Sequence, residues 1–142
     1  MNYLRFALAA LFCSAAAAFA QTATLSADSN RLAATVGQVV LTATVSYEGE
    51  PGALGWAIEL PANWSLVSVV GPDAPSVAPS AGTTGTLEFA YTSVPANRAA
   101  FSMVVSYPAG AASANATPTV LVRSAGKLTT LKPTAVTFQA GS

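Results

Sequence analysis

The stretch that decides the fold runs from Val39 to Tyr47 and reads VVLTATVSY. Apolar side chains occupy every second position, and most of the positions between them carry Thr or Ser: the apolar set is Val39, Leu41, Ala43, Val45 and Tyr47. Successive side chains of an extended chain point to opposite faces, so a period of two indicates a β-strand. This stretch therefore predicts a strand with one buried and one solvent-facing side.

The same alternation recurs along the chain, with Gly, Pro and Asn turns between the runs. Three further strands are predicted by the apolar sets Leu54, Trp56, Ile58 and Leu60; Leu87, Phe89 and Tyr91; and Phe101, Met103, Val105 and Tyr107. Shorter strands are predicted within residues 22–28, 64–70, 117–123 and 134–139. Since no segment after residue 20 keeps helical periodicity, we predict an all-β fold, an antiparallel two-sheet sandwich of about eight to nine strands.

Composition excludes several classes of function. The 142 residues include six basic and six acidic side chains, no histidine and the single cysteine Cys13. Histidine-based triads, Cys/His metal sites and disulfide frameworks are therefore excluded. A neutral chain also lacks the cationic excess that a nucleic-acid binder needs, so we expect neither nucleic acid as a partner nor a cofactor.

The N-terminus has the features of a secretory signal peptide. A positively charged start precedes an apolar run at 6–18, and Ala18-Phe19-Ala20 has the small-x-small form that signal peptidase cuts. We expect cleavage after Ala20, which leaves residues 21–142 as one secreted or periplasmic domain with no membrane segment. A retained membrane helix and lipid anchoring through Cys13 are the alternatives.

The carboxylates offer only weak signs of chemistry. Glu59 and Glu88 lie on the non-core side of two predicted strands, where a glycosidase-like pair could meet, and Asp28 and Asp73 could contribute to a calcium site. We expect these groups to be solvated surface charges instead. No nucleophile and base stand in a recognisable motif, so we expect no enzyme.

One long stretch and two short ones lack a clear strand pattern. Residues 71–85 form the longest such stretch, and connections of this length often carry binding. Pro-Ala-Asn occurs at Pro61 and again at Pro95, which is explained either by an internal repeat or, as we prefer, by proline in the first central position of a turn.

Two surfaces are candidates for binding. Thr42, Thr44 and Ser102 belong to a hydroxyl-rich, nearly uncharged face that could accept another strand or sheet. Trp64 follows a turn, where it either closes one end of the sandwich or offers its ring to a sugar. Together with Asp73 these residues form the candidate binding surface.

A family resemblance is carried by Val36-Gly37-Gln38-Val39 at the start of the first long strand, then by 55–61 (GWAIELP) and 64–69 (WSLVSV). In these features the chain resembles bacterial cohesin-like and related Ig-like secreted β-sandwich domains over roughly residues 25–138. The resemblance implies a jelly-roll-like or Ig-like sandwich that binds another protein or a carbohydrate.

We therefore expect a secreted, non-catalytic interaction module that binds a protein partner, self-associates or assembles at the cell surface. The alternative is a carbohydrate-binding module that uses Trp64 and neighbouring loops on a polysaccharide.

Overall fold

The computed structural model describes residues 21–141, and within this range it contains nine strands and no helix. The strands are β1 (Thr22–Ala27), β2 (Gly37–Ser46), β3 (Ala53–Glu59), β4 (Ser65–Val70), β5 (Thr86–Ala90), β6 (Arg98–Tyr107), β7 (Ala114–Ser124), β8 (Lys127–Leu131) and β9 (Val136–Phe138). The predicted signal peptide at residues 1–20, with Cys13, lies outside the described residues. No helix within 21–141 is long and apolar enough to cross a membrane.

The strands form two antiparallel sheets. Sheet I has the order β1-β2-β6-β4, and sheet II has the order β5-β3-β7-β8, with β9 pairing the first residues of β7. The predicted all-β, two-sheet antiparallel sandwich is thus confirmed. The longest ladder joins β2 to β6 in continuous register from Gly37 opposite Tyr107 to Ser46 opposite Arg98.

The apolar side of each of the four strands predicted from strict alternation faces the core between the sheets. Every member of the four alternating sets is buried, at 9% exposure or less. Phe101 lies at the centre of an aromatic group, with ring centroids 5.0 Å from Phe89, 6.3 Å from Trp56 and 6.5 Å from Tyr91. Because rings at these separations and tilts combine large area burial with favourable edge contacts, this group holds the two sheets together.

One strand was missed by the sequence analysis. β7 and β8 are joined by the two residues Ala125 and Gly126, whose φ angles are +52° and +75°. Two positive φ angles in a two-residue hairpin are the geometry of a type I′ turn, which matches the twist of the flanking strands. β8 has no buried side chain, with Leu128 52% exposed, so no alternation marked it in the sequence.

Residues 71–85, which carry no clear strand pattern in the sequence, are held by backbone hydrogen bonds to two strands. Val77 forms a bridge with Ala90 at the end of β5, with both backbone hydrogen bonds present at 3.0 and 2.9 Å. Further on, the Leu66 N–H donates to the Thr83 carbonyl at 2.9 Å. The segment is therefore attached to β5 of sheet II and to β4 of sheet I, and it is not a free loop.

Candidate interaction surface

The outer face of sheet I is nearly free of charge. It consists of the outward side chains Thr22, Thr24 and Ser26 of β1; Gln38, Val40, Thr42, Thr44 and Ser46 of β2; Arg98, Ala100, Ser102, Val104 and Ser106 of β6; and Ser65, Val67, Ser68 and Val70 of β4. Arg98, at one end of β6, is the only charged member of this set. The rest are small hydroxyl, methyl and amide groups on four adjacent strands.

Pairs of hydroxyl groups connect neighbouring strands on this face. Thr42 Oγ1 lies 3.0 Å from Ser102 Oγ across the β2–β6 ladder, and Ser65 Oγ lies 3.0 Å from Ser106 Oγ across β6 and β4. Cross-strand pairs of this kind stabilise a sheet and hold its register. These two pairs therefore help to hold β2, β6 and β4 in register on this face.

Valine side chains add apolar area beside these hydroxyl pairs. Val40 and Val104 are directly opposite each other and half-buried, while Val67 and Val70 on β4 are 37% and 48% exposed. A β-bulge between Leu66 and Ser68 turns both Val67 and Ser68 outward. These valines were not among the binding residues predicted from the sequence. The run Val67, Ser68, Val69 and Val70 breaks the alternation, and such a break indicates a bulge.

The outer face of sheet II differs in charge. Glu59 on β3, Glu88 on β5 and Arg123 on β7 point outward and are exposed. Glu88 is opposite Ala57 and Glu59 is opposite Thr86, so the two carboxylates are diagonal neighbours on adjacent strands. That placement is typical of solubilising surface charge.

Three of the five predicted binding residues lie together. Thr42 and Ser102 form the hydroxyl pair described above, and Thr44 is the next outward residue of β2, half-buried opposite Ala100. Trp64 and Asp73 are not part of this face.

Trp64 is enclosed in the core, which agrees with the reading in which it closes one end of the sandwich and not with the reading in which its ring is offered to a sugar. Its side chain is only 2% exposed, with ring centroids 5.2 Å from Tyr107 and 5.0 Å from Phe138. A ring on which a sugar stacks must have at least one face exposed to solvent. The Trp64 ring is almost fully enclosed. The reason is its position immediately before β4, where Leu66 already points inward and the turn at Asn63, with φ of +69°, directs the chain into the core.

Asp73 acts as a structural group at the border of sheet I. β4 ends at Val70. Beyond this point Asp73 Oδ2 accepts a hydrogen bond of 3.4 Å from the Ala100 N–H of β6, in the place of a backbone carbonyl of a longer β4. The Asp73 carbonyl accepts a hydrogen bond of 2.6 Å from the Tyr91 hydroxyl. Asp73 therefore attaches the start of the 71–85 segment to the sandwich.

The tyrosines beside Asp73 have shifted acidity. Burial, followed by the negative charge of Asp73 and by Tyr47, raises the pKa of Tyr91 above its usual range. Burial also raises the pKa of Tyr47, with Asp73 and then Glu50 adding to the effect. Both hydroxyls are hydrogen-bond donors to backbone carbonyls, Tyr47 to Pro95 at 2.6 Å. They stay protonated and hold loops in place.

Nothing within residues 21–141 assembles a metal site from acidic or thiol side chains, since no three such groups cluster there. Asp28 Oδ1 accepts a hydrogen bond of 2.9 Å from the Val40 N–H on the β1 side of sheet I. Asp73 lies on the β4 side of the same sheet, so the two aspartates considered for calcium are separated by its width.

Comparisons with known proteins do not assign this chain to a family. No family model and no curated protein matches this sequence. Among solved structures, the chain is similar to a DUF4466 family protein from Parabacteroides merdae, with a TM-score of 0.46 and 11% sequence identity over 82% of this chain and 44% of that one. This chain thus spans less than half the length of that protein.

Proposed function

We propose that this chain is a non-catalytic interaction module that binds a protein partner through the outer face of sheet I. The observation that carries the proposal is the near absence of charge from that face across four strands. The cores of protein interfaces are depleted of charged residues relative to the remaining surface.

The energetic reason lies in desolvation. Removing an ionised side chain from water carries a far larger cost than removing a hydroxyl that keeps a hydrogen bond. On this face Thr42 and Ser102 already bond to each other, as do Ser65 and Ser106. A partner can therefore cover them without leaving these groups unpaired.

A protein fits this face better than a polysaccharide does. All eight aromatic side chains between residues 21 and 141 are buried, so the outer face of sheet I has no ring on which a sugar could stack. Its exposed groups are instead methyls and hydroxyls, among them Val67, Val70 and Thr24. The matching partner presents a flat, weakly charged surface of its own, such as a sheet face or an extended segment.

The expected cellular setting is outside the cytoplasm. The signal-peptide pattern at residues 1–20 and cleavage after Ala20 support a partner in the periplasm, in the medium or at the cell surface. The resemblance to cohesin-like and Ig-like domains is consistent with such a role, since it implies a sandwich that binds another protein or a carbohydrate.

The test introduces charge on one face at a time. The triple variant Thr42→Lys, Thr44→Lys and Ser102→Lys charges the outer face of sheet I, and the matched control Thr86→Lys, Thr117→Lys and Thr130→Lys places the same three charges on exposed positions of sheet II. Photo-crosslinking from position 44, and separately from position 117, in the producing cell identifies which proteins contact each face.

We expect one protein to be crosslinked from position 44 and not from position 117. Its binding to the purified chain should be lost in the sheet I triple variant and retained in the sheet II control. Crosslinking from position 117 alone, or equal binding by both triple variants, would show that the outer face of sheet I is not the binding surface.

A further inference from the structure

The first strand presents an open edge. β1 pairs with β2 along one side only, and its six residues, TATLSA, contain no charge, no proline and no bulge. Among residues 21–141, no backbone hydrogen bond other than those of the β1–β2 ladder involves residues 22–27. A regular, uncharged edge of this kind is a template for another strand.

The other edges of the two sheets are protected. The edge of β4 carries the bulge and is crossed by the segment around Gly82, whose N–H donates to the Leu66 carbonyl at 2.7 Å. The end of β5 is bridged by Val77, and β8 begins with Lys127 and is followed by Lys132 and Pro133. Bulges, lysines, prolines and covering segments are the means by which proteins prevent pairing at an edge. In the part of the chain that the structure describes, β1 has none of them.

The direction of the hydrogen bonds in β1 follows from its register. The Asp28 N–H donates to the Val40 carbonyl at 3.0 Å, and the same register pairs Ser26 with Thr42 and Thr24 with Thr44. In an antiparallel ladder the bonded residues alternate, so Thr22, Thr24 and Ser26 use their backbone groups toward β2. The N–H and C=O groups of Ala23, Leu25 and Ala27 therefore point to the open edge.

We propose that β1 pairs with β1 of a second copy of this chain, antiparallel and centred on Leu25, which joins two copies of sheet I into one continuous sheet. In this register Ala23 is opposite Ala27 of the partner subunit, and the three outward-bonding residues of each copy all find partners. A strand with small residues placed evenly about its centre is complementary to itself under a two-fold axis.

Charge placement favours this antiparallel arrangement. Asp28, directly after β1, is the nearest charged residue to the strand. The antiparallel pair places it opposite Thr22 of the partner subunit, and the two Asp28 carboxylates lie at opposite ends of the junction. A parallel pair would bring the two carboxylates side by side, which is destabilising.

The proposal is independent of the proposed function. Self-pairing uses the backbone edge of β1, whereas partner binding uses the side chains that cover the outer face of sheet I. A chain that dimerises but captures no partner overturns the proposed function alone, and a monomer that captures its partner overturns this inference alone.

The test exploits the register. Thr24 would lie opposite Ser26 of the partner subunit in a non-hydrogen-bonded pair, where side chains approach most closely. The variant Thr24→Lys with Ser26→Lys sets two like charges directly opposite each other at both places. The matched variant Thr24→Lys with Ser26→Glu sets opposite charges there instead. Both side chains are exposed in the single copy, so neither change affects the core.

Sedimentation equilibrium on the full-length gene product, with its N-terminus defined by mass spectrometry, measures association up to about 0.5 mM. We expect the unmodified chain to dimerise, the Lys/Lys variant to dimerise at least about tenfold more weakly, and the Lys/Glu variant to regain dimerisation. A monomeric unmodified chain, equal association of all three proteins, or a Lys/Glu variant as weak as Lys/Lys would overturn the proposal.

A second pair of variants tests the backbone edge directly. Ala23→Pro with Ala27→Pro removes two outward N–H donors and no donor of the β1–β2 ladder, so we expect the fold to persist and the dimer to be lost. Thr24→Pro removes a ladder donor and should lower the thermal midpoint more than Ala23→Pro does. Unchanged dimerisation in the double proline variant would contradict the proposal.

Discussion

The side chain of Tyr107 lies directly against the Cα of Gly37, at the place where β2 begins opposite the end of β6. A Cβ at position 37 would overlap the ring and hydroxyl of Tyr107. Movement of the Tyr107 ring would break the hydrogen bond of 2.9 Å that its hydroxyl accepts from the Ala33 N–H. It would also disrupt the packing of the ring on Trp64. Glycine in the Val36-Gly37-Gln38-Val39 motif therefore serves close packing.

Gly37→Ala should destabilise the protein by about 1 to 3 kcal/mol, the usual cost of overpacking a well-filled site. The matched control is Gly52→Ala, since a Cβ at Gly52 meets only the Arg123 carbonyl oxygen at an ordinary 3.8 Å. Urea denaturation of both variants measures the difference. Equal free energies of unfolding for the two variants would show that the Tyr107 side chain can move aside at no cost.

Trp64→Ala should cost as much as Trp56→Ala, about 3 to 5 kcal/mol each, because both side chains are 2% exposed and packed against other rings. Chemical denaturation of the two variants decides the matter. A loss below about 1 kcal/mol at Trp64 would mean that its surroundings collapse into the space with little strain.

Ala125→Asn should stabilise the hairpin between β7 and β8. Ala125 has a φ of +52°, a conformation that costs a residue with a Cβ about 1 to 2 kcal/mol and that asparagine tolerates better. We expect a gain of roughly 0.5 to 1 kcal/mol in the free energy of unfolding. Ala109→Asn, an exposed turn position with no positive φ, is the control. An equal gain in the control variant would show that relief of backbone strain at position 125 is not the cause.

Stability should fall at alkaline pH. The pKa values of Tyr47 and Tyr91 are raised in the folded protein, so above about pH 10 the unfolded chain releases protons that the folded chain retains. The contribution of these two groups is complete below pH 10 and is lost as the pH rises toward their raised values. Tyr91→Phe should make this decline shallower. Urea denaturation at several pH values measures it, and a decline as steep as in the unmodified chain would exclude Tyr91 as a source.

The alternation of side chains was sufficient to predict the fold class and the core. A strand with one buried face repeats its apolar residues at every second position, and β2, β3, β5 and β6 all do so. The hydroxyl face at Thr42, Thr44 and Ser102 was predicted by the same rule, as the side opposite the core. Local patterns do not specify which strands become neighbours, since pairing is decided by packing between distant segments.

The errors have the same origin. β8 is an edge strand with no buried side, so its sequence carries no alternation. The sequence left two readings of Trp64 open because this residue follows a turn. Its environment is decided by Tyr107 and Phe138, which lie 43 and 74 positions further along the chain. The segment 71–85 is held by bridges to β4 and β5, and no pattern in its own residues predicts those bridges.

The β2–β6 ladder also has a consequence for the order of events during synthesis. Thr42 and Ser102, whose hydroxyls are in contact, lie 60 positions apart in the sequence. β3 likewise pairs with β7, which is synthesised much later. Neither sheet can close until most of the chain has left the ribosome, and topologies dominated by such distant pairings fold slowly, in milliseconds to seconds. During that interval the apolar sides of the unpaired strands are exposed to solvent, and a nascent chain in this state is prone to associate with other chains.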